Sequence, residues 1–238
     1  MRPLLIASLA AALLAGCTPK TADQPLTKVE PEFGQKVRAY LLANPEVLVE
    51  VSTALKEKQT AERLGPIRSQ LERDGRDHVL NPNGKVTVVQ FFDYNCGYCK
   101  VIAPQVLEMA KAHPDVRFVF KDMVIFGETS EYSAAAASLA KDSPQFIAVH
   151  RAFMTTKPLD DAAVDRILKA NGMDPAQARA RQAAPTRKAY LNEVHMLAQA
   201  LGIEGTPAFI VGNTLIPGAD ARALEEAILK AKQAKGIA

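Results

Sequence analysis

The stretch Val86-Thr-Val-Val-Gln-Phe-Phe-Asp-Tyr-Asn-Cys-Gly-Tyr-Cys-Lys100 constrains this chain more than any other. Its β-branched and aromatic run, Val86 to Tyr94, predicts a buried strand, which stops at a Cys-X-X-Cys that opens a helix. A thiol at a helix N-terminus meets unpaired backbone N–H groups and the positive end of the helix dipole, and both favour thiolate over thiol. Cys96 is therefore expected to be the exposed nucleophile, with a pKa in the range of ~3.5–7.5 that such motifs span. Cys99, one turn further on, lies within reach to close a disulfide and displace whatever Cys96 has attacked. Gly97 and Tyr98, between them, set how stable the thiolate is.

A Cys-X-X-Cys is also half of a zinc site. The remaining candidate ligands are His78, His113, His150 and His195, scattered singly, with no second Cys pair and no His-x-x-x-His. A structural disulfide is the other alternative, but closing so short a loop removes little chain entropy. The redox-active reading is favoured over both.

Phe91-Phe-Asp-Tyr-Asn-Cys-Gly-Tyr-Cys-Lys100, then Ile102-Ala-Pro104, and well downstream Gly205-Thr-Pro-Ala-Phe-Ile210, resemble the thioredoxin superfamily. More narrowly, the chain is similar to the periplasmic DsbA-type thiol-disulfide oxidoreductases, in the subgroup with an N-terminal helical extension typified by ScsC and related bacterial surface lipoproteins. The resemblance covers residues 30 to 235. It implies an α/β thioredoxin fold with an inserted helical subdomain and an N-terminal helical arm.

The chain has 238 residues, 48% hydrophobic and 23% charged, which are globular values with length enough for a substantial core. Its net charge of +3 is mild, and no basic run or aromatic-basic interleaving points to nucleic acid. Of the three cysteines, the first ends a segment with one positive charge, a short apolar core and small residues, the build of an export signal. Residues 1–16 are expected to be a lipoprotein signal peptide, because Leu14-Ala-Gly-Cys17 resembles the bacterial lipobox, in which Cys17 is lipidated. An ordinary signal peptide with an incidental Cys is the alternative. With the lipobox, Cys96 and Cys99 are the only thiols of the mature body, in a compartment where disulfides persist.

Residues 17–31, rich in Thr, Pro, Lys and Gln, read as a tether. Thr18 is not the Asp that retains enteric lipoproteins at the inner membrane, so the resemblance implies a periplasmic protein anchored at the outer membrane. Phe33, Val37, Tyr40 and Leu41 predict a first helix. Asn44-Pro45 starts a second, with Asn44 as N-cap, and a kink is expected at Gly65-Pro66. Residues 32–74 either cover the body or form an oligomerisation arm; their long polar helix has little to bury against in its own chain, and the resemblance also implies the arm.

Residues 77–238 carry the DsbA-type thioredoxin domain. His78-Val-Leu80 predicts an edge strand and Asn81-Pro-Asn-Gly84 a turn. Asp93 is a strand-end surface carboxylate, a buried proton acceptor for Cys99, or a modulator of Cys96. Val116–Phe120 completes a βαβ unit, and residues 130–199 read wholly helical, the inserted subdomain. Within it, one helical run is expected from Asp174-Pro175 through Leu197. Thr206-Pro207 resembles the superfamily's cis-proline loop, implying a backbone beside the Cys pair ready to bond an extended substrate strand. A hairpin and a closing helix from Ala221 to Lys232 end the domain.

These readings give a thiol-disulfide oxidoreductase acting on cysteine-containing periplasmic proteins, with Cys96 attacking and Cys99 resolving. No G-x-G-x-x-G, P-loop or metal motif is present, so no cofactor is expected beyond the Cys96–Cys99 couple, and electrons pass to or from a membrane oxidase or reductase. Several copies joined through residues 32–74 would suit an isomerase or reductase, whereas a dithiol oxidase needs only a monomer. From another class, a non-catalytic lipoprotein or holdase would have no need of the Cys pair.

Overall fold

The computed structural model describes residues 30–237; the expected signal segment 1–16, Cys17 and the expected tether up to residue 29 lie outside the described residues. They form two compact units, one up to Leu48 and one from Val49 onward.

In the first unit, α1 (Pro31–Ala43) begins at the residue expected to end the tether, with Pro31 in its first turn, where the missing N–H costs nothing. None of its residues is buried, and Phe33, Tyr40 and Leu42 are each at least 60% exposed. Asn44 was expected to cap the second helix; instead it closes the first. Its backbone N–H and its side-chain Nδ2 both donate to Tyr40 O at 2.9 Å, satisfying a carbonyl that the helix end leaves open.

The second unit is built on β1 (His78–Leu80), β2 (Val86–Phe92), β3 (Val116–Asp122), β4 (Ala208–Val211) and β5 (Thr214–Pro217). Among the described residues they form one sheet in the order β1-β3-β2-β4-β5. β2 and β3 are parallel, joined by α3 (Gly97–Ala112), and the other neighbours are antiparallel. Between β3 and β4 come α4 (Glu128–Ser138), α5 (Gln145–Thr155), α6 (Asp161–Ala170), α7 (Pro175–Ala183) and α8 (Pro185–Ala200), the inserted subdomain; α9 (Ala221–Ala234) closes the chain. This is the thioredoxin arrangement with a DsbA-type insertion. The single run expected from Asp174 is two helices, because Pro185 cannot donate to the preceding turn and instead starts α8.

Strand alternation divides the core in two. Val86, Val88 and Phe92 pack with Ile102 and Val106 of α3, Phe146 and Phe153 of α5 and Leu224 and Ile228 of α9. Val89 and Phe91 face the other way, toward Tyr190 and Val194 of α8. The second group also contains Leu64 and Leu71 of α2 (Glu46–Glu72), both fully buried. Residues 32–74 are therefore not one free-standing arm: α2 leaves Val51 and Leu55 exposed but seats its C-terminal half in the core.

Each buried leucine there contributes roughly 1.5–3 kcal/mol. Polar bonds fix the same half. Lys121 of β3, fully buried, donates to Gln70 O at 2.8 Å and pairs with Asp77 at 2.7 Å, and Arg117 donates to Glu72 O. A strand thus carries two buried cations because a helix C-terminus needs donors for its last carbonyls. At Gly65-Pro66, where a kink was expected, α2 continues through Pro66, preceded by a glycine with no Cβ to crowd the ring.

Candidate active site

Cys96 is the N-cap of α3, with extended backbone and no capping side-chain bond, so its sulfur faces the first amides of the helix. Its pKa is lowered to about 5. Hydrogen bonding from Cys99 is the main cause, reinforced by Thr206 and by the backbone N–H groups of Cys99 and Tyr98, against burial, which acts the other way. Cys99 is pushed strongly up, because it shares its proton with Cys96 and is fully buried. The two thiols thus differ sharply: Cys96 ionises readily and Cys99 holds its proton.

Cys96 was expected to be exposed. It is only 3% exposed, because the Thr206–Pro207 loop covers it: Cys96 Sγ lies 3.1 Å from Thr206 O. The Thr206–Pro207 peptide is cis. In the thiol form the sulfur donates to that carbonyl. In the thiolate form the carbonyl is an unfavourable neighbour, outweighed by the donors around it. Thr206 Oγ1 is buried, has no other partner and lies close enough to influence both sulfurs. Gly97 and Tyr98 are exposed, with Tyr98 72% open.

Asp93 is neither a surface carboxylate nor a free base. Buried at the end of β2, it accepts from Asn95 N at 2.7 Å, Ile125 N at 2.8 Å, Phe126 N at 3.1 Å and Ser130 Oγ at 2.7 Å. Four donors occupy the acceptor positions of one carboxylate. The residue fastens the loop after β3 beside the Cys pair, and this loop leaves Ile125 and Phe126 half exposed there.

Lys100 was read only as the end of the motif. Four residues beyond Cys96, it shares that residue's side of α3. It is almost fully buried and donates to Phe153 O at 2.7 Å and Thr156 O at 2.9 Å, tying the redox helix to the end of α5. Burial, with Lys157 nearby, brings its pKa down to about 8, while the Asp93, Cys99 and Cys96 charges oppose that shift. Helical spacing from Cys96 is the signal that could have found it. Lys100, Asn95, Phe126 and Leu159 line a groove of about 520 Å3 between the helix and the inserted subdomain.

The four histidines are occupied elsewhere. His150 Nδ1 bonds Tyr94 OH at 3.0 Å within a cluster of Phe92, Phe120 and Phe146, and burial lowers its pKa to about 3, so it stays neutral. His78 stacks on Phe146, His113 pairs with Glu225 at 2.8 Å, and His195 bonds Val124 O at 2.7 Å. No group of three or more His, Cys, Asp or Glu side chains among the described residues is placed to hold a metal ion. No described helix is long and apolar enough to cross a membrane.

The family model of the DsbA-like thioredoxin domain matches residues 87–229, and that of the copper resistance protein ScsC N-terminal domain matches residues 30–62. Among solved structures, the chain is similar to a thioredoxin-like oxidoreductase from Silicibacter pomeroyi DSS-3, with 37% identity and a TM-score of 0.65 over 70% of this chain and 98% of that one. It is also similar to Proteus mirabilis ScsC in a transitional conformation, with 28% identity and a TM-score of 0.65 over 85% of this chain and 98% of that one. The thiol:disulfide interchange protein DsbA of Bordetella pertussis is 27% identical over 136 residues, 54% of this chain. The match spans 64% of that relative's length.

Proposed function

The chain belongs to the DsbA-like thioredoxin domain family, and from that premise we propose that it is a periplasmic thiol-disulfide oxidoreductase acting on cysteine-containing proteins through Cys96 and Cys99. The observation that carries this reading is the Cys96 thiol, brought to a pKa of about 5 at the mouth of α3 beside a partner that holds its proton. In the reductive direction the Cys96 thiolate attacks a substrate disulfide, forming a mixed disulfide and releasing one substrate thiolate. Cys99 then gives up its proton and attacks Cys96 Sγ, which releases the second substrate thiolate and leaves Cys96–Cys99 oxidised. The oxidative direction runs these steps in reverse. The couple needs no other cofactor, and a membrane oxidase or reductase restores it.

Thr206 and Pro207 form the substrate shelf, where the backbone beside Cys96 pairs with an extended segment. Gly97 and Tyr98 set the thiolate's surroundings, and Asp93 acts by holding the Ile125–Phe126 loop in place.

The apolar side chains that α1 leaves uncovered support assembly through residues 32–48 with further copies of this chain. Several sites facing one another favour isomerase or reductase work. The second reading, dithiol oxidation, is favoured by the low Cys96 pKa, because stabilising the reduced form makes the disulfide more oxidising. Refolding of scrambled ribonuclease by the reduced protein separates them: recovery of activity supports the isomerase, and its absence beside rapid oxidation of reduced substrate supports the oxidase. Lipid attachment at Cys17 rests on the lipobox resemblance, and palmitate labelling lost in Cys17→Ala tests it; placement at the outer membrane rests on Thr18, and separating inner from outer membranes tests that.

A further inference from the structure

The groove beside the Cys pair bears on which substrates the pair would meet. Asn95 and Gly97, the two chain neighbours of Cys96, both line it, so a substrate side chain lying there belongs to a residue close to the sulfur being exchanged. With a volume of about 520 Å3 it has ample room for such a side chain, and Phe126, Pro158 and Leu159 make part of its wall apolar.

Its charges are unequal. Lys100 and Lys157 line it against one carboxylate, that of Asp160, which is engaged as the N-cap of α6 and accepts from Ala163 N at 2.7 Å. Asp93 does not line it, and its oxygens are held by Asn95 N, Ile125 N, Phe126 N and Ser130 Oγ. Lys100 is tied to two neutral carbonyls, those of Phe153 and Thr156. Lys157 is exposed and makes no hydrogen bond or ion pair among the described residues. Its charge lies near enough to Lys100 to disfavour the ammonium form there. Two like charges, neither paired with a carboxylate of the protein, favour an anion brought in by a bound segment.

We propose that this groove selects substrates with an acidic residue beside the cysteine that Cys96 attacks, an inference that rests on Cys96 being the nucleophile. Lys157 pairs with the incoming carboxylate, the charge of Lys100 adds to the attraction, and Phe126 with Leu159 covers the methylene groups of a glutamate. Backbone pairing at Thr206 is indifferent to sequence, and a side-chain groove next to it supplies the preference.

Symmetric disulfides of a short capped peptide test the groove. The single cysteine is followed by Glu, Gln or Lys in one set and preceded by them in a second. The Cys96 thiolate bonds one peptide sulfur and expels the other as thiolate; Cys99 then closes the pair and releases the second peptide thiolate. Rates with the reduced full chain are each divided by the rate of the same peptide with dithiothreitol, which removes differences in intrinsic reactivity. In at least one set the Glu peptide should exceed the Gln peptide about fivefold, the Lys peptide should fall below it, and the spread should shrink in 1 M salt, as ~3 Å screening requires. In Lys157→Glu the order should invert, with the Lys peptide ahead of the Glu peptide. Reduction of every peptide at the same relative rate, or an order unchanged in Lys157→Glu, would overturn the groove's role while leaving Cys96 as nucleophile. Reduction of none would overturn both.

Discussion

The Sγ atom of Cys96 lies 3.1 Å from the carbonyl oxygen of Thr206, 110 residues further along the chain. This places the proposed nucleophile and the backbone proposed to receive substrate within one hydrogen bond of each other. The nucleophile is covered in the resting molecule, and its surroundings mix donors that favour the thiolate with one carbonyl that does not.

Removing a donor reports on that balance. Thr206→Val deletes the hydroxyl and keeps the shape, and one charge-assisted hydrogen bond is worth roughly 1.5–3 kcal/mol. The Cys96 pKa should rise by about one unit or more, read from thiolate absorbance, and alkylation near neutral pH should slow. An unchanged pKa would exclude the hydroxyl from the site's electrostatics.

Cys99→Ala removes the largest contribution to the low Cys96 pKa and also the resolving thiol. Its Cys96 should titrate higher than in the parent chain, yet mixed disulfides with periplasmic proteins should accumulate, visible on non-reducing gels. Absence of adducts from this variant, with Cys96 still alkylated, would argue for the non-catalytic reading.

The pKa shift also predicts a pH dependence of stability. Because the Cys96 pKa is depressed on folding, its contribution is fully present above the unfolded-state value near ~8.5 and is lost as pH falls through about 5. Asp77 runs the other way: burial raises it to about 6, so stability falls as pH climbs from about 4 to about 6. Asp77 is common to both redox states and cancels in their comparison. The reduced form should therefore gain on the oxidised form by a few kcal/mol between pH 5 and 9, measured by denaturant unfolding of each.

Lys100 provides an independent handle. Replacing it with Met leaves the Phe153 and Thr156 carbonyls without their donor and should cost about 1–3 kcal/mol of stability. In the parent chain the alkylation rate of Cys96 should show a second inflection near pH 8, absent in Lys100→Met. A retained inflection would assign it to another group.

Assembly is best tested by a chain beginning at Val49. A cut near Asp77 would remove Leu64 and Leu71 and unfold part of the core, confusing loss of assembly with loss of structure. Sedimentation should show a single copy from Val49 and several for the longer chain. Equal masses would remove α1 from the account of assembly.

The strand, the Cys-X-X-Cys, the βαβ unit and the helical insertion were legible because each is written in local pattern: alternation, spacing and capping residues such as Asp160, which accepts from Ala163 N at 2.7 Å. What escaped depends on contacts distant in sequence. Leu64 and Leu71 sit in a helix that read as long, polar and with little to bury against, since nothing local reveals that Lys121 and Arg117 wait for the end of α2. Asp93 was ambiguous because its four donors come mostly from residues 125 to 130, and the cover over Cys96 comes from Thr206. Lys100 was missed because a lysine after a redox motif reads as solvated, whereas the carbonyls of Phe153 and Thr156, at the end of α5, draw it inside.

The most direct test of the account is the absorbance titration of the reduced protein's thiolate, with Cys17→Ala as the background so that only Cys96 and Cys99 contribute. One thiolate titrating near pH 5, abolished in Cys96→Ser, is the result predicted here. A midpoint near ~8.5, that of an unperturbed cysteine, would contradict it.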